Sequence, residues 1–175
     1  MQHFCRAMAG GGRIMSENEL TKEFKLAVEF TSEFIKEFGA ERSYAVIERV
    51  LKEKLTTEAK LSVAKLGGNS IKHITKYCEG LAQGDCEITV IESTDSYVAI
   101  IVRRCKVYEA FNELGFPEIG RLYCKADYAF TEAFNPEMKL LRTKMISNGD
   151  EFCNHIWADS IVDSGQLKHL DAGHR

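Results

Sequence analysis

The hydrophobic pattern changes its period along the chain, and this change limits the fold more than any other feature. Apolar residues recur every three to four positions from Ser16 to Leu81, which is typical of amphipathic helices. Residues 87–93 and 97–104 are instead rich in β-branched side chains and predict a β-hairpin. Helical spacing returns over 105–134, and a second hairpin is predicted around Asn148-Gly149. This order predicts an α+β fold in which about five to six helices pack on one antiparallel sheet built from two hairpins.

Glycine and threonine residues mark the expected ends of the first helices. The first helix is predicted over Ser16–Phe38 and ends at Gly39, because glycine readily takes the left-handed conformation found at helix C-termini. The second is predicted over Ala40–Lys54, and a separate third helix is expected to begin at Thr56 or Thr57. One stripe of the first helix is expected to face the core and consists of Leu20, Phe24, Ala27, Thr31, Phe34 and Phe38.

The size and charge of the chain exclude several kinds of partner. A length of 175 residues favours one domain, and a net charge of −3 with scattered basic residues argues against nucleic acid binding. No apolar run approaches the roughly 18 residues that a membrane span requires. We expect a single domain over residues 15–158, preceded by a disordered or non-native extension over 1–14 and followed by a flexible tail over 159–175.

The cysteines indicate a reducing compartment. No Cys-x-x-Cys pair occurs and the N-terminus lacks the apolar segment of a signal peptide, so we expect a cytoplasmic protein with free thiols. Three cysteines and one histidine can bind zinc, but such sites normally contain closely spaced ligand pairs. We therefore expect no cofactor, with a metal site as the less favoured alternative. The six cysteines are Cys5, Cys78, Cys86, Cys105, Cys124 and Cys153; Cys78 and Cys86 are interpreted as packing residues.

The second hairpin places several reactive side chains on one face. Strands over 139–146 and 151–157 with a two-residue Asn148-Gly149 turn would pair Leu141 with Ile156 on an apolar face that packs on the core. The opposite face then pairs Lys144 with Cys153, Arg142 with His155, and Leu140 with Trp157. Nearby positive charge favours the thiolate, so the pKa of Cys153 is predicted to be lowered. The alternative is that this face is simply the solvated side of an antiparallel sheet.

Four more residues extend this candidate site. Cys124 and Asp127 lie three apart on a predicted helix and are neighbours on its surface. A carboxylate raises the pKa of an adjacent thiol. The pair therefore suggests a site in which the carboxylate orients a histidine or a substrate amine. The alternative is a buried cysteine beside an exposed aspartate. Cys105 and Arg103 are expected on one strand face, where Arg103 either binds a carboxylate or is an ordinary surface arginine.

Short motifs at fixed spacings run through residues 102–157. They are Arg104-Cys105, Leu114-Gly115-Phe116-Pro117-Glu118, Cys124-Lys125-Ala126-Asp127, Asn135-Pro136, Arg142-Thr143, Gly149-Asp150 and Cys153-Asn154-His155. Together they resemble the L-2-amino-thiazoline-4-carboxylic acid hydrolase family. The helical first half resembles that family only in general shape.

The resemblance implies hydrolytic opening of a small cyclic amidine that carries a carboxylate, through cleavage of a C–N bond, as in bacterial formation of cysteine from thiazolines. Within that expectation Cys153 is nucleophile or polarising thiol, His155 is its acid or base, and Asp127 holds the substrate amidinium. The candidate catalytic residues are Cys153, His155, Asp127 and Cys124. The candidate substrate-binding residues are Arg142, Arg103, Cys105, Lys144 and Trp157.

Two other classes of function stay open at this point. The order of helices and hairpins also resembles small-molecule-binding domains of the vinyl reductase type, which implies ligand binding without turnover and, as an open alternative, a homodimer. A plain interaction or scaffold protein is the third hypothesis. Hydrolysis predicts a polar site with Cys153, His155 and Asp127 close together, whereas a scaffold predicts these side chains in solvent.

Overall fold

Helices and strands follow one another in the predicted order in the computed structural model, which describes residues 17–82 and 86–159 and, at 17–20, the backbone only. Within these residues the α+β prediction, with five α-helices and two antiparallel hairpins, is confirmed. The helices are α1 Glu17–Phe38, α2 Ala40–Leu66, α3 Ile71–Leu81, α4 Lys106–Glu113 and α5 Pro117–Phe134. The strands are β1 Cys86–Ser93, β2 Tyr97–Cys105, β3 Met138–Leu141 and β4 Cys153–Asp159.

The four strands form one antiparallel sheet in the order β1-β2-β4-β3. The second hairpin therefore docks through β4 on the first, and β4 becomes a central strand. Where β3 and β4 pair, Leu140 lies opposite Trp157 and Leu141 opposite Ile156, which confirms the predicted register. β4 has a neighbouring strand on each side, and the side chains on both of its faces are buried.

The main core lies between α2, α3 and α5 and one face of the sheet. Its members on β4 are Cys153 and Trp157, which pack with helix residues such as Ile74 of α3 and Phe130 of α5. Ile156 points to the other face, where it joins a small separate cluster with Ala99 and Ala158. The prediction that the face of Ile156 packs on the main core is therefore wrong, and the face with the thiol and the imidazole takes that place.

Residues 40–66 form one continuous helix, so the predicted break near Thr56 is wrong. The hydroxyl of Thr57 donates to the carbonyl oxygen of Glu53, four residues earlier. A threonine whose hydroxyl is satisfied within the helix does not act as an N-cap, and the helix continues to Gly67, which has a φ of 74°.

The burial of α1 differs from the prediction at Ala27, which is exposed, and in the second half of the helix. Phe24 and Val28 are buried against α4, where the Phe24 ring stacks on that of Phe111 with centroids 4.4 Å apart. Phe34 and Phe38 are about half exposed, contrary to the expected stripe. The exposed positions Leu26, Phe30, Phe34 and Phe38 recur every four residues and form an apolar stripe that we call the α1 stripe.

A β-bulge changes which side chains share a face of β2. Glu87 pairs with Arg104, but the next β1 residue, Ile88, pairs with Val102, so Arg103 is an extra residue on β2. An extra residue reverses the alternation of side chains. Cys105 consequently lies on the core face with Val102, while Arg103 is exposed. The expectation that Cys105 and Arg103 share a face is wrong.

The segment that joins β3 to β4 is a loop rather than a tight hairpin. A 3-10 turn spans Ile146–Asn148 and ends at Gly149, which has a φ of 94°. The Asp150 carboxylate accepts a hydrogen bond of 2.8 Å from the backbone N–H of Met145. The predicted two-residue Asn-Gly turn and the long first strand are therefore wrong.

Of the expected terminal segments, the proposed extension over residues 1–14 and nearly all of the proposed tail lie outside the described residues. Asp159, expected to begin that tail, is the last residue of β4. Among residues 17–82 and 86–159, no helix is long and apolar enough to cross a membrane.

Candidate functional site

Arg142 occupies the centre of the candidate site and is almost completely withdrawn from solvent. Its side chain is 1% exposed, and its Nη1 donates to Asp127 Oδ2 at 2.8 Å. Nη2 donates to the carbonyl oxygen of Cys124 at 2.7 Å, and the guanidinium lies 5.2 Å from the centre of the Tyr128 ring. A guanidinium cannot lose its proton in a protein, so its burial requires such partners.

His155 approaches the same ion pair from β4. Its Nε2 lies 3.1 Å from Arg142 Nη1 and 3.5 Å from Asp127 Oδ2. Because a guanidinium only donates, Nε2 must accept in this arrangement, which places the imidazole proton on Nδ1. Protonation of Nε2 would instead favour a hydrogen bond to Asp127. Nε2 therefore accepts from Arg142 when it is unprotonated and could donate to Asp127 when it carries a proton.

Two polar atoms of this group lack a partner within the described part of the chain. Arg142 Nε and His155 Nδ1 are both buried and make no hydrogen bond there. Buried donors without an acceptor are uncommon in folded proteins, because each costs the free energy of its lost hydration. Both atoms are donors in the arrangement above, so the missing partner is an acceptor such as a carboxylate, a carbonyl or a water.

Asn154 fixes the path of the chain that carries Arg142. Its Oδ1 accepts from the backbone N–H groups of Thr143 at 3.0 Å and Lys144 at 2.8 Å. Its Nδ2 donates to the Thr143 hydroxyl at 2.8 Å. These bonds replace the strand pairing that stops at Leu141, so the side chain of Asn154 holds residues 143–144 and orients the preceding arginine.

Trp157 forms one wall beside His155. The two rings stack with centroids 5.4 Å apart, and the indole N–H donates to the Thr131 hydroxyl of α5 at 2.9 Å. The Thr131 hydroxyl in turn donates to the carbonyl oxygen of Asp127. This chain of contacts ties β4 to the helix that carries the carboxylate.

The thiols of Cys105, Cys124 and Cys153 collect around this ion pair but are not activated. Burial raises the pKa of Cys153, even though the N–H of Ile146 donates to its Sγ at 3.2 Å. Burial and then the Asp127 carboxylate raise the pKa of Cys124 to about 12. The prediction of a lowered Cys153 pKa is wrong, because loss of hydration outweighs the charge of Arg142.

The remaining predicted site residues lie apart from this group. The Lys144 ammonium lies over the Phe152 ring, 4.5 Å from its centre. Arg103 is exposed on the bulge of β2. The structure therefore brings together Asp127, Arg142, His155, Trp157 and the three thiols, and leaves out Lys144 and Arg103.

Sequence reasoning missed the position of Cys86 and several polar residues of the helices. Cys86 lies directly opposite Cys105 in the antiparallel register; the predicted strand began one residue too late to show the pairing. The Tyr77 hydroxyl donates to Glu58 Oε1 at 2.9 Å, and burial raises the pKa of that carboxyl. Burial raises the pKa of Tyr123 as well. Their helical spacing resembled ordinary packing, so no sequence signal separated them from the core.

Within residues 17–82 and 86–159, no group of three or more His, Cys, Asp or Glu side chains is arranged to hold a metal ion.

Comparison with known proteins places the chain in a family. The model of the L-2-amino-thiazoline-4-carboxylic acid hydrolase family matches residues 18–157. The chain belongs to this family. The match includes Asp127, Arg142 and His155 together with Cys86, Cys105, Cys124 and Cys153, so the whole group described above falls in the part shared with the family.

The fold is similar to that of a ligand-responsive domain. The crystal structure of the phenol-responsive sensory domain of the transcription activator PoxR with phenol matches 91% of this chain and 85% of that chain, with a TM-score of 0.52 and 12% sequence identity. At this identity the likeness concerns the fold alone. No curated protein sequence matches the chain.

Proposed function

We propose that the protein is a hydrolase that opens a small cyclic amidine carboxylate of the 2-amino-thiazoline-4-carboxylate type by cleaving a C–N bond. The observation that carries the proposal is the buried Asp127–Arg142–His155 group with two donors that lack an acceptor. A substrate carboxylate is an acceptor with the charge that this group requires. Membership of the family supports the reaction class.

The ion pair has a defined role in binding. Asp127 uses Oδ2 for Arg142, and its side chain is 28% exposed, so Oδ1 can accept hydrogen bonds from a substrate amidine. The carboxylate of the substrate would approach Arg142 Nε. The amidine of the substrate would then bind Asp127 and its carboxylate would bind Arg142, so that the ion pair fixes the orientation of the substrate.

His155 supplies the proton transfer in this proposal. Substrate binding would release Nε2 from Arg142 Nη1, and Nε2 would then accept a proton from the attacking water and pass it to the ring nitrogen that leaves. The imidazolium formed between these steps is stabilised by Asp127, 3.5 Å away. The raised pKa of Cys153 keeps its thiol neutral at pH 7, so we assign it a polarising role and assign water as the nucleophile.

A second candidate function is ligand sensing without turnover. The observation that favours it is the shared fold with the PoxR domain, whose structure contains phenol. In that case the same group would bind a small carboxylate and Trp157 would contact its apolar part. We propose a cytoplasmic location and a small-molecule carboxylate partner for both functions.

The experiment incubates purified protein with 2-amino-thiazoline-4-carboxylate and follows the ring-opened product by mass spectrometry. We expect turnover by the wild type, a loss of about 10²–10⁴-fold in His155→Gln, and a loss below about tenfold in Cys153→Ala. His73→Gln is the matched control, because His73 lies at the start of α3 and caps that helix.

The outcomes separate the two functions. A folded wild type that does not open the ring rejects the hydrolase for this substrate. Calorimetric binding of the compound without turnover would support the sensor. A loss of about 10³-fold or more in a folded Cys153→Ala protein would make the thiol the nucleophile and reject the assignment of water.

A further inference from the structure

Cys86 and Cys105 face each other at one end of the β1–β2 hairpin. Cys86 is the first residue of β1, Cys105 is the last residue of β2, and the two are direct partners in the antiparallel register. Directly opposed residues in such a ladder have Cα atoms about 4.5–5.5 Å apart. Disulfides span Cα separations of about 4.4–6.8 Å, so no strand has to move for these two cysteines to be joined.

The side chains as well as the backbones are close. Cys86 and Cys105 are free cysteines of intermediate exposure that pack against the same core cluster. Side chains that lie directly opposite each other in such a ladder have Cβ atoms about 4.5–5.5 Å apart. β1 is an edge strand, so Cys86 lies at the border of the sheet. A small oxidant can therefore reach this pair, whereas Cys78 is completely buried in the core.

We propose that Cys86 and Cys105 are an oxidant-sensitive thiol pair that forms a cross-strand disulfide when the protein meets a peroxide. Hydrogen peroxide oxidises the Cys86 sulfur to a sulfenic acid and leaves as one water. The Cys105 sulfur then attacks the Cys86 sulfur, the S–O bond breaks, and hydroxide leaves and takes up the Cys105 proton as the second water. Two thiols lose two electrons in total, and the peroxide gains them. A dithiol reductant reverses the change by exchange.

The position of Cys105 connects this pair to the candidate site. Cys105 ends β2 and immediately precedes α4, and a charge on its sulfur would be felt by both Cys124 and Cys153. Disulfide formation turns the Cys105 sulfur toward Cys86 and removes its proton. The pair therefore sits where a change of oxidation state alters the surroundings of the thiols around Arg142. Disulfides in a reducing cytoplasm are typically transient and act in catalysis or redox sensing.

The test treats the full-length wild-type protein with a small excess of hydrogen peroxide and then blocks the remaining thiols with iodoacetamide. Proteolysis and mass spectrometry should reveal one cross-linked peptide pair joining Cys86 to Cys105, lighter by two hydrogens than the reduced pair. Dithiothreitol should abolish the link. Cys86→Ser and Cys105→Ser should each prevent it, and Cys5→Ser, which leaves the pair intact, should retain it.

Three results would overturn the proposal. They are a peroxide-treated wild type with no link, a main link that involves Cys5, Cys124 or Cys153, and irreversible over-oxidation of Cys105 in place of the disulfide. The wild-type peptide map decides the matter even if a serine variant does not fold. The assay measures bond formation alone, so its result is independent of whether the thiazoline is hydrolysed.

Discussion

Removal of one member of the Asp127–Arg142 pair should cost more than removal of the other, although one ion pair is broken in both cases. Breaking a buried ion pair costs about 3–5 kcal/mol, because a charge is left buried without compensation. Asp127→Asn leaves the guanidinium, whose side chain is 1% exposed and which cannot be neutralised by losing a proton. We therefore expect Asp127→Asn to lower the free energy of unfolding by about 4–5 kcal/mol.

Arg142→Met leaves a carboxylate whose side chain is 28% exposed. Water can reach that carboxylate, so we expect a loss near the lower end of the range, about 3 kcal/mol. The double variant Asp127→Asn/Arg142→Met removes both charges. It should be more stable than Asp127→Asn alone, with a coupling energy of at least about 3 kcal/mol.

Urea unfolding followed by far-ultraviolet circular dichroism measures these differences. With a slope of about 2 kcal/mol per molar urea, Asp127→Asn should lower the midpoint by about 2 M. Arg104→Met is the matched control, since Arg104 pairs with Glu109 where the two side chains are 38% and 42% exposed. Such a pair is worth at most about 1 kcal/mol. A midpoint for Asp127→Asn no lower than that of Arg104→Met, or additive losses in the double variant, would refute the reasoning.

Two further predictions concern pH and assembly. Burial raises the pKa of the Glu58 carboxyl. The protonated carboxyl therefore contributes stability at low pH, and this contribution is lost as pH rises through the folded pKa. Glu58→Gln can still accept from Tyr77, so it should raise the melting temperature at pH 7 but not near pH 4. Equal melting temperatures at pH 7 would contradict this. If the protein forms a homodimer through the exposed α1 stripe, the double variant Phe30→Asp/Phe34→Asp should reduce the mass measured by sedimentation by about half. A monomeric wild type would reject the dimer.

Local patterns were sufficient for the order of the elements and for much of their boundaries. The spacing of apolar residues predicted α1 and α5, and β-branched residues predicted the first hairpin, because these signals depend only on neighbours within a few positions. The same kind of signal was misleading at Thr57. There the hydroxyl found an acceptor inside the helix, so a residue that favours a cap sits in the middle of α2.

The sequence indicated several members of the candidate site, but neither its full membership nor its arrangement. Lys144 and Arg103 lie apart from the group, and Cys86 was interpreted as a packing residue. The register of β3 and β4 correctly put Arg142 and His155 near each other, because side-chain alternation fixes that relation. The sequence predicted that the positive charge of Arg142 would lower the pKa of Cys153, whereas in the structure Arg142 forms an ion pair with Asp127. The residues next to Arg142 in the sequence do not indicate its ion-pair partner, because Asp127 lies on α5 and only the tertiary fold brings the two together.

The sequence by itself therefore determined the α+β class and the family, because motif spacing and hydrophobic period are local properties. The tertiary structure decided how the side chains of the candidate site are oriented and buried. The bulge at Arg103 turned Cys105 toward the core, and the docking of β4 on β2 turned Cys153 and His155 toward the helices. Burial then set the protonation of the thiols, because the free energy of removing a charge from water depends on everything packed around it.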